Sequence, residues 1–191
     1  MASIELESEP LAALGRVPLQ HVLKETAAFP NSLLPVLVYR IALERPSADV
    51  FERLFAKHGW TGAWRNGLYR VHHYHSTAHE VLGIYQGSVQ VQLGGEQGVR
   101  VELKAGDVVV IPAGVAHKNE GASADFAVLG AYPTGTGPDM QYGKPGERPG
   151  ADRRIQALAL PSADPLQGPA GSLVTLWKSV HAGAPGTQRG R

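Results

Sequence analysis

Two neighbouring stretches of the sequence alternate between apolar and polar side chains. In "SVQVQL", residues 88–93, the apolar members are Val89, Val91 and Leu93, and "VRVELK", residues 99–104, repeats the pattern. An alternation with a period of two places the apolar side chains on one face of a β-strand. The glycine pair between the two stretches is typical of a hairpin connection. The pattern therefore predicts an antiparallel sheet with one buried face.

Further short apolar segments predict that the sheet continues. "VVVIP" at 108–112 predicts a strand buried on both faces, "DFAVLGAY" at 125–132 predicts another strand, and "LLPVLVYRIAL" at 33–43 predicts a strand that covers an edge. The chain has 23 glycines, 14 prolines and 18% charged residues, a composition that suits short strands joined by tight turns and disfavours a helical bundle. Together these segments predict an antiparallel sandwich or barrel.

Three segments beside the predicted sheet have other patterns. Residues 47–58 predict a helix, with Ser47 as its N-cap and Gly59 just past its last turn. Residues 153–160 are compatible with either a short helix or an edge strand. "SLVTLW", at 172–177, predicts a final strand that packs on the barrel.

The length and the absence of an internal repeat predict one barrel. A chain of 191 residues has the size of one domain with extensions. Residues 1–18 lack a clear period and are expected to form a flexible arm. Residues 19–178 are expected to form the domain, and residues 179–191 have the composition of a disordered tail.

Charge and cysteine content exclude several classes of function. The formal net charge is +1 and no lysine or arginine stripe is present, so nothing indicates nucleic acid or an anionic membrane as a partner. The absence of cysteine excludes disulfides, thiolate metal sites and cysteine nucleophiles. The N-terminal sequence lacks a signal pattern, and the apolar runs are too short to span a membrane. We therefore expect a cytoplasmic protein.

Histidines cluster in one part of the sequence. Four of the eight lie between His72 and His79, and such clustering favours metal or acid/base chemistry. In an extended strand, His73 and His75 would share one face while His72 faces the other way. Two imidazoles so placed can reach one ion. Glu80 begins the next apolar stretch, where a turn of this length lets the chain fold back toward the same ion.

A fourth ligand is predicted from a distant part of the sequence. "GDVVVIPAGVAH" contains a predicted strand, then a Pro-x-Gly corner, and then His117. The corner bends the chain so that His117 can turn inward. The sequence thus predicts a cluster of His73, His75, Glu80 and His117.

These residues lie in two motifs by which the sequence resembles the cupin superfamily. The first motif consists of Gly67, His73, Tyr74, His75, Glu80 and Gly87, and the second of Gly106, Pro112, Ala113, Gly114 and His117. "GAWRNGLYRVHHYHSTAHEVLG" and "ADPLQG" resemble the YjlB-like subgroup of single-domain cupins. The resemblance implies an all-β fold, a double-stranded β-helix or jelly-roll barrel, with one N-terminal helix and a C-terminal extension. It also implies that the four clustered residues are metal ligands.

Three imidazoles and one carboxylate suit a divalent transition metal ion, either Fe, Mn, Ni, Co, Cu or Zn. Four protein ligands around an octahedral ion leave two positions open for a small oxygenated molecule. The resemblance favours an enzyme, a dioxygenase-type oxidoreductase. A metal-dependent isomerase or lyase is one alternative, and a non-catalytic metal-dependent sensor or storage protein for a small ligand is another.

Four further residues are candidates for the site. His79, next to Glu80, is a candidate acid/base catalyst for an isomerase or lyase, or else a solvated or supporting histidine. Tyr69, Trp64 and Lys118 are candidates for substrate binding. Tyr69 would either line the pocket or pack in the core. Trp64 lies in a predicted loop that is either a lid or an anchor for the helix. Lys118 would either neutralise an anionic ligand or be exposed.

The expected partners are a small-molecule ligand and a second copy of the chain. Single-domain cupins commonly pair through outer strands, so the resemblance implies a homodimer. Residues 33–43 are the candidate for a shared edge strand.

Overall fold

Nine strands and three helices are present in the computed structural model, which describes residues 17–183. The strands are β1 (Leu19–Leu23), β2 (Ser32–Tyr39), β3 (Trp60–Asn66), β4 (Glu80–Gln86), β5 (Ser88–Leu93), β6 (Val99–Lys104), β7 (Val108–Ile111), β8 (His117–Ala122) and β9 (Ala127–Pro133). The helices are α1 (Ala48–Lys57), α2 (Gly150–Ala157) and α3 (Ser172–Gly183).

The strands form two antiparallel sheets. The larger has the order β1-β2-β7-β4-β9-β3, and the smaller has the order β6-β5-β8. The predicted all-β fold is confirmed as a jelly-roll barrel. The prediction that residues 33–43 form a shared edge was wrong, because β2 pairs with β1 on one side and β7 on the other. The short and largely exposed β1, for which the sequence analysis predicted no strand, forms that edge. The predicted homodimer stays a prediction.

The core inside the barrel is built by side chains of both sheets. Val89, Val91 and Leu93 of β5 are buried as the alternation predicted, and Val91 lies opposite Val101 of β6. They pack against Leu82 of the larger sheet. This apolar core fills part of the barrel and leaves room for a polar site beside it.

A second core covers the outer face of the larger sheet. Strand β7 contributes to both cores, as predicted for a strand buried on both faces: Val108 and Val110 belong to the outer core and Val109 to the inner one. The outer layer is α1, which presents Phe51 and Phe55 to the sheet. The predicted helix is confirmed, with the Ser47 side chain accepting from the backbone N–H of Val50.

The C-terminal segment differs most from its prediction. Residues 153–160 were left open, and α2 covers most of them. The strand predicted over 172–177 was wrong, because α3 occupies this range. Its buried residues Leu173, Val174 and Trp177 follow a helical spacing, whereas a strand would alternate.

Two predicted boundaries lie near the ends of the described chain. Helix α3 continues to residue 183, past the predicted start of a disordered tail at 179. Residues 184–191, and residues 1–16 of the predicted arm, lie outside the described residues. None of the helices between residues 17 and 183 combines the length and the apolar character that a membrane-spanning helix requires.

Candidate metal centre

The first two histidines of the site are positioned by a short backbone bridge and not by a regular strand. The segment between β3 and β4 was predicted as a strand, but His73 makes only an isolated bridge with His117 at the start of β8. The backbone N–H of each residue donates to the carbonyl of the other, at 3.2 and 2.9 Å. This bridge brings the two imidazole ring centres to 4.2 Å from each other. The extended backbone carries His75 to the same side.

The four predicted residues converge at one point. The ligand atoms of His73, His75 and His117 all lie within 4.8 Å of one another. Glu80 is the first residue of β4, and its Oε2 lies 3.4 Å from Nε2 of His75 and 3.3 Å from Nε2 of His117. Each of the four residues is at most 5% exposed. The sequence-predicted set is therefore assembled in a buried position.

Backbone carbonyls orient all three imidazoles. Each histidine has its Nδ1 within hydrogen-bond distance of a backbone carbonyl oxygen. The distances are 3.0 Å from His73 to Val71, 2.6 Å from His75 to Asp139, and 3.1 Å from His117 to Val115. A carbonyl can only accept, so each Nδ1 carries a hydrogen. Each Nε2 is then left with its lone pair, which is the tautomer found where imidazoles ligate a metal.

Glu80 is held on one oxygen and left without a hydrogen-bond donor on the other. Its Oε1 accepts from the hydroxyl of Tyr132 at 3.0 Å, and that hydroxyl accepts from the indole N–H of Trp64 at 2.7 Å. Oε2 of Glu80 and Nε2 of His117 have no hydrogen-bond partner among the described residues. A buried carboxylate oxygen facing imidazole lone pairs is unfavourable unless a proton or a metal cation lies between them. The four residues therefore fit a metal ion.

The pKa shifts follow from this crowding. Burial, followed by the neighbouring His117, lowers the pKa of His73 to about 3. Burial alone would raise the pKa of Glu80, but His75 and His117 outweigh burial and hold it below its usual range. Burial alone would lower the pKa of His75, but the Glu80 carboxylate outweighs burial and raises it. Without a metal, a proton on His75 is thus stabilised by Glu80.

The four residues form the floor of a cavity of about 470 Å³. Two of the sequence-predicted binding candidates line this cavity. Tyr69 stands at the mouth with its ring edge-on to that of His73, at 5.3 Å between centres. Trp64 forms part of the wall, but it belongs to strand β3 and not to the predicted loop.

The other two candidates are not brought to the cavity. The ring of His79 packs against Trp177 of α3 at 4.9 Å between centres, and its Nδ1 accepts from the backbone N–H of Ala113. Burial lowers the pKa of His79 to about 4. Lys118 follows His117 on β8 and points to the opposite face, where its Nζ lies 3.2 Å from Glu96. Neither residue lines the cavity, because each occupies the opposite face from its neighbouring ligand.

Two supporting residues were missed by the sequence reading. Tyr132 lies at the end of a predicted strand, but nothing in the sequence indicated that it would contact Glu80. Asp139 lies in an irregular segment after β9, and its carbonyl accepts from His75. The side chain of Asp139 binds the backbone N–H of Ser76 at 2.6 Å and also contacts the Ser76 hydroxyl. This clamp fixes the carbonyl that orients His75.

Comparison with known proteins supports the family assignment. The cupin domain model matches residues 65–129, which include the four clustered residues. A curated relative, the uncharacterized protein YjlB of Bacillus subtilis (strain 168), is 45% identical over 143 residues, or 75% of this chain and 86% of the relative. The chain belongs to the cupin family. Within that family it is a YjlB-like cupin, as the two motifs and the flanking sequences predicted.

Several solved structures resemble this YjlB-like cupin at low identity. A DUF861 family protein from Thermotoga maritima is 22% identical over 50% of this chain and 96% of its own, with a TM-score of 0.33. Acireductone dioxygenase from Bacillus anthracis, with cadmium in its active center, is 17% identical over 52% of this chain and 79% of its own, with a TM-score of 0.38. RmlC from Streptococcus suis, in complex with dTDP-D-xylose, is 14% identical over 62% and 71%, with a TM-score of 0.35.

Proposed function

We propose that this YjlB-like cupin holds one divalent transition metal ion through His73, His75, Glu80 and His117, and that it is an enzyme acting on a small oxygenated molecule. The observation that carries the proposal is the floor of the cavity, where Oε2 of Glu80 lies 3.4 and 3.3 Å from Nε2 of His75 and His117, and where Oε2 of Glu80 and Nε2 of His117 have no hydrogen-bond partner among the described residues. A polar floor under an open cavity is the arrangement of a small-molecule site.

Each part of the chain has a definite task in this proposal. The metal, when bound, would supply Lewis-acid or redox chemistry. The three backbone carbonyls keep the imidazoles in the tautomer that ligates a metal. Burial and the Glu80 carboxylate raise the pKa of Tyr132, so its hydroxyl stays protonated and continues to orient Glu80. The four residues of the floor are at most 5% exposed, which limits their contact with bulk water.

Dioxygenase-type oxidation is the reaction class that we favour. An isomerase or lyase needs a side chain that carries a proton to or from the substrate. Among the described residues of the cavity, the Tyr132 hydroxyl is already engaged with Glu80, and Tyr69 is 63% exposed at the mouth. His79, the candidate proton carrier, packs on the outer side against α3. We therefore favour oxidation by dioxygen over these two reaction classes.

Oxygen consumption tests this reaction class. The metal-loaded protein would be incubated with a set of small diols and enols, with and without air, while oxygen uptake and substrate loss are both recorded. We expect turnover only in air, with oxygen consumed in proportion to the substrate. Equal turnover without air would contradict the dioxygenase assignment and favour an isomerase or lyase.

A further inference from the structure

The cavity has a wall that is mostly apolar and aromatic. Above the four clustered residues the side chains of Trp64, Leu68, Tyr69, Pro138 and Met140 form most of the wall, and Arg65, Asn66 and Gly67 complete it. The indole N–H of Trp64 on this wall already donates to Tyr132, and Oδ1 of Asn66 accepts from the backbone N–H of Gly67. A ligand body that contacts this wall therefore gains stability mainly from burying apolar surface.

The charges around the cavity limit the charge of its ligand. Arg65 is the one cationic residue among the described residues of the wall, and its guanidinium lies 2.6 Å from carboxylate oxygens of Asp49 and of Glu52. The imidazoles are neutral when they ligate a metal, and Glu80 contributes one negative charge. A divalent ion at this site would leave one net positive charge, which balances a single negative charge on a ligand.

From the wall and the charges together, we propose a substrate class for this cupin. The ligand has two neighbouring oxygens, carries at most one negative charge, and has an apolar or aromatic body; enediols, hydroxyketones and catechols belong to this class. Phosphorylated molecules and nucleotide sugars do not, because no free cation of the described wall neutralises a phosphate. This inference rests on the proposed metal site and adds to it the chemistry that the wall selects.

Three hydroxamates with one chelating group test the inference. Acetohydroxamate, benzohydroxamate and phosphonoacetohydroxamate present the same two oxygens to a metal and differ only in the body that meets the wall. Calorimetric titration of the metal-loaded protein measures their dissociation constants. We expect benzohydroxamate to bind about tenfold more tightly than acetohydroxamate, because its ring buries apolar surface. We expect phosphonoacetohydroxamate to bind about tenfold more weakly than acetohydroxamate, because its phosphonate stays unpaired.

A charge introduced into the wall provides the matched control. Met140→Lys places an ammonium group beside the cavity, whereas Val99→Lys places one on β6, away from it. Both residues are similarly exposed, at 36% and 37%. We expect Met140→Lys to tighten the binding of phosphonoacetohydroxamate and Val99→Lys to leave it unchanged.

The outcomes separate the two levels of the proposal. If the wild-type protein binds metal and all three hydroxamates equally, or prefers the phosphonate, the substrate class is wrong and the metal site stands. If the protein retains no metal and binds none of the hydroxamates, the proposed function itself fails, and the substrate class fails with it.

Discussion

Two buried carboxylates, Glu80 and Asp164, have opposite surroundings. Asp164 is fully buried in the C-terminal segment, and Glu80 is 2% exposed at the cavity floor. Each oxygen of Asp164 accepts two hydrogen bonds. Oδ1 accepts from the backbone N–H groups of Leu166 and Gln167. Oδ2 accepts from the backbone N–H of Leu173 and from the hydroxyl of Tyr39. Glu80 accepts from a single donor, and its second oxygen faces imidazole nitrogens.

The difference shows that burial alone does not identify a functional carboxylate. Asp164 connects β2, the loop that follows Asp164 itself, and the first turn of α3. Donors of the protein fill its acceptor positions. Such a group stabilises the fold and offers nothing to a ligand. Glu80 is equally buried but incompletely satisfied, which is a cost that a bound cation would remove.

Of the substitutions considered, replacement of Asp164 should change the stability of the fold most. We expect Asp164→Ala to lower the free energy of unfolding by about 3 kcal/mol or more, because four donors lose their acceptor in a buried position. Chemical denaturation measures the change. Tyr39→Phe, which removes one of the four donors, should cost about 1 kcal/mol and gives a measurable value if Asp164→Ala does not fold. Unchanged stability in both variants would contradict the structural role.

Replacing Glu80 should have the opposite pattern. We expect Glu80→Gln to lower metal affinity at least about 100-fold, because an amide is a poor ligand for these ions. Without metal, its unfolding free energy should change by less than about 1 kcal/mol, because the new amide can donate to an imidazole lone pair. Metal titration and denaturation of the same sample measure both quantities. A strong loss of stability with intact metal binding would contradict this account, because Glu80 would then have the same structural role as Asp164.

Asp139 should affect the metal site through His75. We expect Asp139→Ala to lower metal affinity about tenfold, because it releases the clamp on Ser76 that fixes the carbonyl accepting from His75. Metal titration measures the loss. Asp125→Ala, which removes an exposed carboxylate before β9, is the control and should leave the affinity unchanged. Equal affinities of the two variants would contradict the positioning role.

Acidification should weaken metal binding gradually. Glu80 raises the pKa of His75, so the metal-free site holds a proton on His75 below that raised pKa. A metal must displace this proton, so affinity should fall with decreasing pH by up to about tenfold per pH unit below the pKa, and should level off above it. Metal titration across the pH range measures this slope. An affinity that rises on acidification would contradict the assignment.

Local patterns in the sequence were enough to predict part of the site. Alternation with a period of two selected His73 and His75 over His72, and the structure turns His72 toward Glu96 and away from the cluster. The rule holds because the backbone around His73 is extended, even though it forms only an isolated bridge. The same alternation places Lys118 opposite His117, so the prediction of Lys118 as a binding residue was inconsistent with the strand geometry.

Contacts between distant segments could not be predicted in this way. The carbonyl that orients His75 comes from Asp139, 64 residues later in the chain, and the hydroxyl that holds Glu80 comes from Tyr132, 52 residues later. Helix α3 was mistaken for a strand because its apolar residues fit both spacings over a short window, and packing against the larger sheet decides between them.

Metal content tests the central claim most directly. Elemental analysis of natively purified protein should find one divalent transition metal ion per chain in the wild type. His117→Ala should lose this metal, whereas Lys118→Ala, the adjacent residue on the opposite face of β8, should retain it. A wild-type protein that binds no metal in either native or metal-supplemented form, or a His117→Ala variant that retains a full equivalent, would contradict the account.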